Sequence, residues 1–240
     1  MTTHGKYIAA SALIALAVCL RPAEGASSES FRSGGKPVAV ERFDPAASEE
    51  RAPSTILLLH GSDGPGPYRN LARRLAACSR VFLPHYLDRT GERTAGRASI
   101  RRHTETWIET VRDAVAWISE RSGTDVPRLA VVGVSFGGGL ALAAGLRDQR
   151  IRAVVTWSGW VPPAVLGART LPPVLILHGT ADRVVPFADA RGLDRLLRTR
   201  GIPHELAAYE GQGHVFAGRA RADAERRVLA FLGRHTASGC

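Results

Sequence analysis

The chain has 240 residues, 45% of them hydrophobic and 22% charged, and carries 32 lysines and arginines against 22 aspartates and glutamates, for a formal charge of +10. That length suits one sizeable core and is short for two full domains. The excess charge is almost all arginine, scattered as singles and pairs (Arg73, Arg74, Arg101, Arg102, Arg226, Arg227) rather than gathered in one stripe with interleaved aromatics. The pattern argues against a nucleic-acid binder and for a solvated basic surface, with weak attraction to anionic surfaces left open.

The first 25 residues read as a secretory signal peptide. "MTTHGK" is basic, Ile8 to Leu20 is an uncharged apolar core, and Ala23 and Gly25 stand at the −3 and −1 positions for cleavage before Ala26. The apolar core is shorter than the roughly 20 residues a membrane-spanning helix needs, so no stable span is expected. The protein is therefore expected to be exported, to the periplasm or beyond. Lipidation at Cys19, in the poor lipobox "LAVC", is a weaker alternative. Residues 26–36, "ASSESFRSGGK", are small and polar and read as a linker. One α/β domain is expected over residues 37–235, with 236–240 as a tail. Cys78 and Cys240 would remain after cleavage, free to pair in an oxidising compartment. There is no Cys-x-x-Cys or His-Glu-x-x-His spacing, so no metal site or cofactor is expected.

Within the domain, "PVAVERF" alternates like a strand and "APSTILLLHG" is a continuous apolar run of strand length. A helix from about Tyr68 to Ala77 and the strand "RVFLPHYL" follow. Trp107, Val111, Val115 and Ile118 recur every three or four positions, marking one face of a helix. Then come strand "PRLAVVGVS", helix "FGGGLALAAGL", strands "IRAVVTWSG" and "PPVLILHG", a helix over 187–199, strand "HELAAYE" and a closing helix over 219–232. This alternation predicts a single-domain, mainly parallel, doubly wound α/β sheet with helices on both faces. In such sheets ligands gather beyond the carboxyl ends of the strands.

The residues just past those strand ends carry the chemistry. Gly133-Val134-Ser135-Phe136-Gly137 fits the G-x-S-x-G nucleophile elbow, where flanking glycines make room for a strained, exposed serine. A phosphate-cradling βα turn is the alternative for the pentapeptide alone. A serine nucleophile needs a histidine base and an orienting acid, in the chain order Ser, Asp, His for this fold. Asp182 in "HGTADRVVP" and His214 in "GQGHVF" follow the next suitable strands in that order. Asp182 is alternatively a cap for the helix near Pro186, with Asp189 its nearest rival as the acid. The oxyanion of acyl transfer needs two N–H donors. The backbone amides of Phe136 and of Ser62, in "LLLHGSDG", are assigned that role. Pocket candidates are His85, Tyr86 and Arg89, in "PHYLDRTG", and Trp160, in "WSGW", whereas Trp157 reads as core.

From about Ile56 to Phe231 the chain resembles the dienelactone hydrolase family of α/β-hydrolases, through "HGSDG", "GVSFGG", "HGTADRVVP" and "GQGHVF". The resemblance implies nucleophile, acid and base roles for Ser135, Asp182 and His214. Founding members have cysteine where this chain has Ser135, and glutamate where it has Gly61, so a more general serine esterase is implied. The expected substrate is a small carboxylic ester or lactone. An amide or peptide hydrolase with the same three residues is the enzymatic alternative. A non-catalytic binding protein of the same fold and a basic envelope-binding protein are the others.

Overall fold

The computed structural model describes residues 26–45, 54–121 and 129–236. The signal peptide read over residues 1–25, Cys19 within it, and Cys240 lie outside them. The described residues build one eight-stranded sheet. Its strands are β1 (Ser27–Ser33), β2 (Lys36–Phe43), β3 (Ser54–Leu59), β4 (Ser79–Pro84), β5 (Leu129–Val134), β6 (Ile151–Trp157), β7 (Val174–Gly179) and β8 (His204–Tyr209), in spatial order β1-β2-β4-β3-β5-β6-β7-β8. β1 and β2 pair antiparallel, as do β2 and β4, and every later pair is parallel. The sequence expectation of a mainly parallel α/β sheet holds.

Strand geometry sends successive side chains to opposite faces, and the sheet's interior runs obey that period. Leu57, Leu59, Val131, Val154 and Ile176 enter one core cluster. Ile56, Leu58, Val132, Val155 and Leu175 enter the other. Helices α2 (Arg97–Ser119), α3 (Phe136–Arg147) and α5 (Phe187–Thr199) cover the first face through residues such as Trp107, Leu140 and Leu193. Helices α1 (Arg69–Leu75) and α6 (Gly218–Thr236) cover the second through Leu71, Leu75, Val228 and Phe231. A four-residue turn of helix, α4 (Pro163–Leu166), follows β6. Burial on both faces explains why β3 and β5 read as unbroken apolar runs rather than alternating ones.

Residues 26–36 are a correction. They are no linker: Ser27–Ser33 is the edge strand β1, joined to β2 by a turn at Gly34 and Gly35, both with positive φ. Only Phe31 and Ser33 of this strand are buried, so its sequence shows too few apolar residues to betray the strand. The antiparallel partner β2 decides it.

Candidate active site

β5 delivers its last residue to a sharp turn. Ser135 sits at φ 55° and ψ −119°, a backbone conformation that costs a non-glycine residue on the order of 1–3 kcal/mol. Its amide donates to the Trp157 carbonyl at 2.8 Å and its carbonyl accepts from the Gly138 amide at 2.9 Å. The flanking glycines are required by space. A Cβ at Gly133 would strike the Gly137 carbonyl, and one at Gly137 would strike the carbonyl oxygens of Leu59 and His60. The start of α3 thus lies directly against the end of β3, bringing the Phe136 amide and the loop carrying Ser62 to one place. As the first residue of α3, Phe136 has an N–H with no acceptor inside the helix. Ser62 is held through its carbonyl, which accepts from the Ala95 amide at 2.7 Å.

The three residues assigned as nucleophile, base and acid come together. His214 Nε2 lies 2.8 Å from Ser135 Oγ and its Nδ1 lies 2.8 Å from Asp182 Oδ2. A carboxylate only accepts, so Nδ1 carries the hydrogen and Nε2 is left to accept from the serine hydroxyl. The Asp182 side chain is wholly buried. Its Oδ1 accepts the Val184 and Val185 amides at 2.8 and 3.0 Å. The buried His178 ring at the end of β7 adds a longer approach, Nε2 lying 3.3 Å from Oδ2 and 2.9 Å from the Val185 carbonyl. Asp189, the rival acid, lies in the first turn of α5 with its amide on the Pro186 carbonyl. The His214 loop is tied down from two sides. Ser158 Oγ donates to the His214 carbonyl at 3.1 Å, and the Ala181 amide donates to the Gln212 carbonyl at 3.0 Å.

A cavity of about 140 Å³ opens beside His214. Leu71, Val134, Trp157 and Phe216 supply apolar walls, and Asp63, Tyr68 and Arg221 supply its polar groups. Tyr68 donates its hydroxyl hydrogen to Asp63 Oδ1 at 2.8 Å. Burial and the neighbouring carboxylate both push the phenol's pKa upward. A Cβ on Gly61 would collide with the Tyr68 oxygen and come within 2.8 Å of Asp63 Oδ1. Where the family's founding members have a glutamate, a side chain in this chain would have to displace those of Tyr68 and Asp63.

Of the pocket expectations, Tyr86 and Arg89 need correcting. Tyr86 is fully buried, and its hydroxyl donates to the His60 carbonyl at 2.8 Å. Arg89 pairs with Glu109 at 2.8 Å and reaches Ser33 Oγ and the Thr106 carbonyl, so it ties β1 to α2. His85 pairs with Glu41 at 2.8 Å and lines, with His60, a cavity other than the one His214 lines. Trp160 stacks on the Phe136 ring and donates its indole N–H to the Phe136 carbonyl at 3.1 Å. Trp157 is buried in the core, as expected, and also lines the cavity beside His214. The sequence missed Tyr68 and Arg221 because they stand outside any motif. Phe216 ends "GQGHVF" and was the one available signal.

His60 is wholly buried, and burial lowers its pKa to about 3. The unfolded imidazole titrates near 6.5, so between roughly pH 6.5 and 3 the unfolded chain binds the extra proton. Stability is then lost as pH falls through that window, by up to about 1.4 kcal/mol per pH unit from this group. Denaturant melts of wild type and His60→Asn at pH 7, 5.5 and 4.5 should show a shallower acid loss in the variant. Equal slopes would mean that His60 is not the group responsible.

An α/β-hydrolase sheet with a hydrogen-bonded Ser-His-Asp relay on its carboxyl rim defines the class. The model of the dienelactone hydrolase family matches residues 69–234, more than half of the chain, and the chain belongs to that family. It is similar to carboxylesterase SOBER1 of Arabidopsis thaliana, 31% identical over 121 residues, covering 47% of this chain and 53% of that protein. It is also similar to a putative carboxymethylenebutenolidase of Escherichia coli O157:H7, 27% identical over 114 residues, covering 43% and 42%. The chain thus spans about half the length of these relatives. A putative dienelactone hydrolase from Klebsiella pneumoniae has the same fold, with a TM-score of 0.77, 19% identity, and 87% and 98% of the two chains covered.

Proposed function

We propose that the protein is a serine hydrolase of small carboxylic esters or lactones, working through an acyl-enzyme on Ser135. The observation that carries this reading is His214 standing 2.8 Å from both Ser135 Oγ and Asp182 Oδ2. Ser135 Oγ attacks the carbonyl carbon while Nε2 of His214 takes the hydroxyl proton. Asp182 holds the ring so that Nε2 faces the serine and stabilises the imidazolium that forms. The carbonyl oxygen becomes an oxyanion facing the Phe136 and Ser62 amides. Collapse breaks the C–O bond, and the leaving alkoxide takes the proton from Nε2; in a lactone it stays attached through the acyl chain. Water, deprotonated by the same nitrogen, then attacks the acyl carbon and releases the acid and free Ser135. The small cavity beside His214 favours a compact group there. That its relatives include a carboxylesterase and a putative carboxymethylenebutenolidase supports an ester bond over an amide.

The signal-peptide pattern over residues 1–25 supports export. So does Cys78, which is disulfide-bonded and so suits an oxidising compartment.

Intact mass after fluorophosphonate treatment is the direct test. One adduct is expected on the wild type and none on Ser135→Ala; a folded wild type that takes no label would defeat the assignment. Matched ester and amide substrates then compare the two bond types, with the ester expected to turn over faster.

A further inference from the structure

We propose that His60 is a positioning residue for the oxyanion site: its neutral imidazole holds the Gly61–Ser62 peptide plane so that the Ser62 N–H faces the reacting carbonyl. The proposal rests on the hydrolase reading above and deepens it.

The Ser62 N–H and the Gly61 C=O belong to one peptide unit. The unit is planar and trans, so its N–H and C=O point in opposite directions, and fixing one aims the other. Gly61 O lies 2.7 Å from His60 Nδ1. A carbonyl only accepts, so Nδ1 carries the hydrogen. The other approaches to this oxygen are longer, the Gly64 amide at 3.3 Å and the Tyr86 hydroxyl at 3.4 Å. The His60 contact is therefore the shortest restraint on the plane.

Tyr86 holds both the ring and the backbone of His60. The imidazole stacks on Tyr86, with centroids 4.1 Å apart and planes 13° from parallel. The Tyr86 hydroxyl also holds the His60 carbonyl at 2.8 Å. On the far side of Ser62, the Ala95 amide holds the next carbonyl at 2.7 Å, so both peptides flanking Ser62 are pinned.

Placing a histidine here carries a cost. With Nδ1 protonated and the ring neutral, Nε2 is a buried acceptor with no hydrogen-bond partner among the described residues. Such groups are rare in folded proteins, and an apolar side chain of similar size would avoid the penalty. What the apolar side chain lacks is the Nδ1–H donor. A preorganised donor that need not reorient during reaction is what makes an oxyanion site effective.

The test pairs His60→Leu, which deletes the donor, with His60→Asn, whose side-chain amide can place an N–H near the Nδ1 position. His60→Leu should lower kcat by roughly 10- to 100-fold with little change in KM, less than the loss from deleting a donor outright. Affinity for a trifluoromethyl ketone, whose adduct with Ser135 places an oxyanion in the site, should fall in parallel with kcat/KM. His60→Asn should recover most of both losses. Fluorophosphonate labelling separates the failures. A wild type that takes no label overturns the hydrolase reading, whereas a labelled, folded His60→Leu with wild-type kcat and ketone affinity overturns the role of His60 alone. Should His60→Leu not fold, ¹⁵N NMR of the wild-type histidines decides: a neutral ring protonated on Nδ1 is expected from pH 5 to 9, and an Nε2–H tautomer overturns the proposal.

Discussion

Replacing Ser135 with alanine is expected to lower kcat on a cleaved ester by about 10⁶-fold while leaving KM nearly unchanged, since the three relay residues act as one unit. Ser135 Oγ is the atom that His214 Nε2 faces at 2.8 Å, and deleting it leaves the base with no nucleophile to activate. The variant should fold. The side chain of a residue held at positive φ by backbone bonds to Trp157 and Gly138 shrinks by one atom, and the backbone contacts remain. Steady-state kinetics at saturating substrate, with circular dichroism as the folding control, make the measurement. Loss of less than about tenfold would place the nucleophile elsewhere.

Asp182→Asn should cost about 10⁴-fold in kcat, the size of effect expected when the histidine is held in the wrong tautomer. The reason can be followed atom by atom. Asp182 Oδ1 accepts two backbone amides, from Val184 and Val185, so asparagine must place its carbonyl oxygen there. Its NH2 group then takes the place of Oδ2 and donates to His214 Nδ1, where the carboxylate had accepted. Nδ1 must become the acceptor, the ring hydrogen moves to Nε2, and Nε2 no longer accepts the serine proton. Thermal melts should stay close to wild type because the amide is isosteric. Asp189→Asn, in the first turn of α5, is the control and should retain turnover. Near-wild-type kcat for Asp182→Asn would remove Asp182 from the mechanism.

Both predictions concern residues that were legible before any coordinates. Ser135, Asp182 and His214 each stand just past the end of a strand, inside short motifs whose glycines answer local backbone demands. Gly133 is there because a Cβ would strike the Gly137 carbonyl within the turn, and Gly137 because a Cβ would strike the Leu59 and His60 carbonyls at the end of β3. The first constraint lies within five consecutive residues and the second comes from a distant strand, but both leave their mark on the same five letters. The same holds for the buried strands, whose two-sided packing produces continuous apolar runs, and for α2, whose buried Trp107, Val111, Val115 and Ile118 recur at the helical period.

The cavity beside His214 left no such mark. Tyr68 precedes α1, Trp157 ends β6, Phe216 follows His214, and Arg221 lies on α6. Four separate segments meet there, and no local spacing records their meeting. Tyr86 and Arg89 failed as pocket residues for a related reason. Their positions after β4 were right for a substrate contact, but the Tyr86 side chain turns into the core to brace the His60 carbonyl, and Arg89 turns toward Glu109.

By itself, the sequence determined the α/β alternation, the class of the fold and the residues of the relay, because each follows from interactions between near neighbours along the chain. The tertiary structure alone decided that residues 27–33 form a strand, that Trp157 and not Trp160 walls the cavity, and that Gly61 leaves its space to Tyr68 and Asp63. Those outcomes depend on which distant segment packs against which, a pairing that long-range burial and hydrogen bonding select.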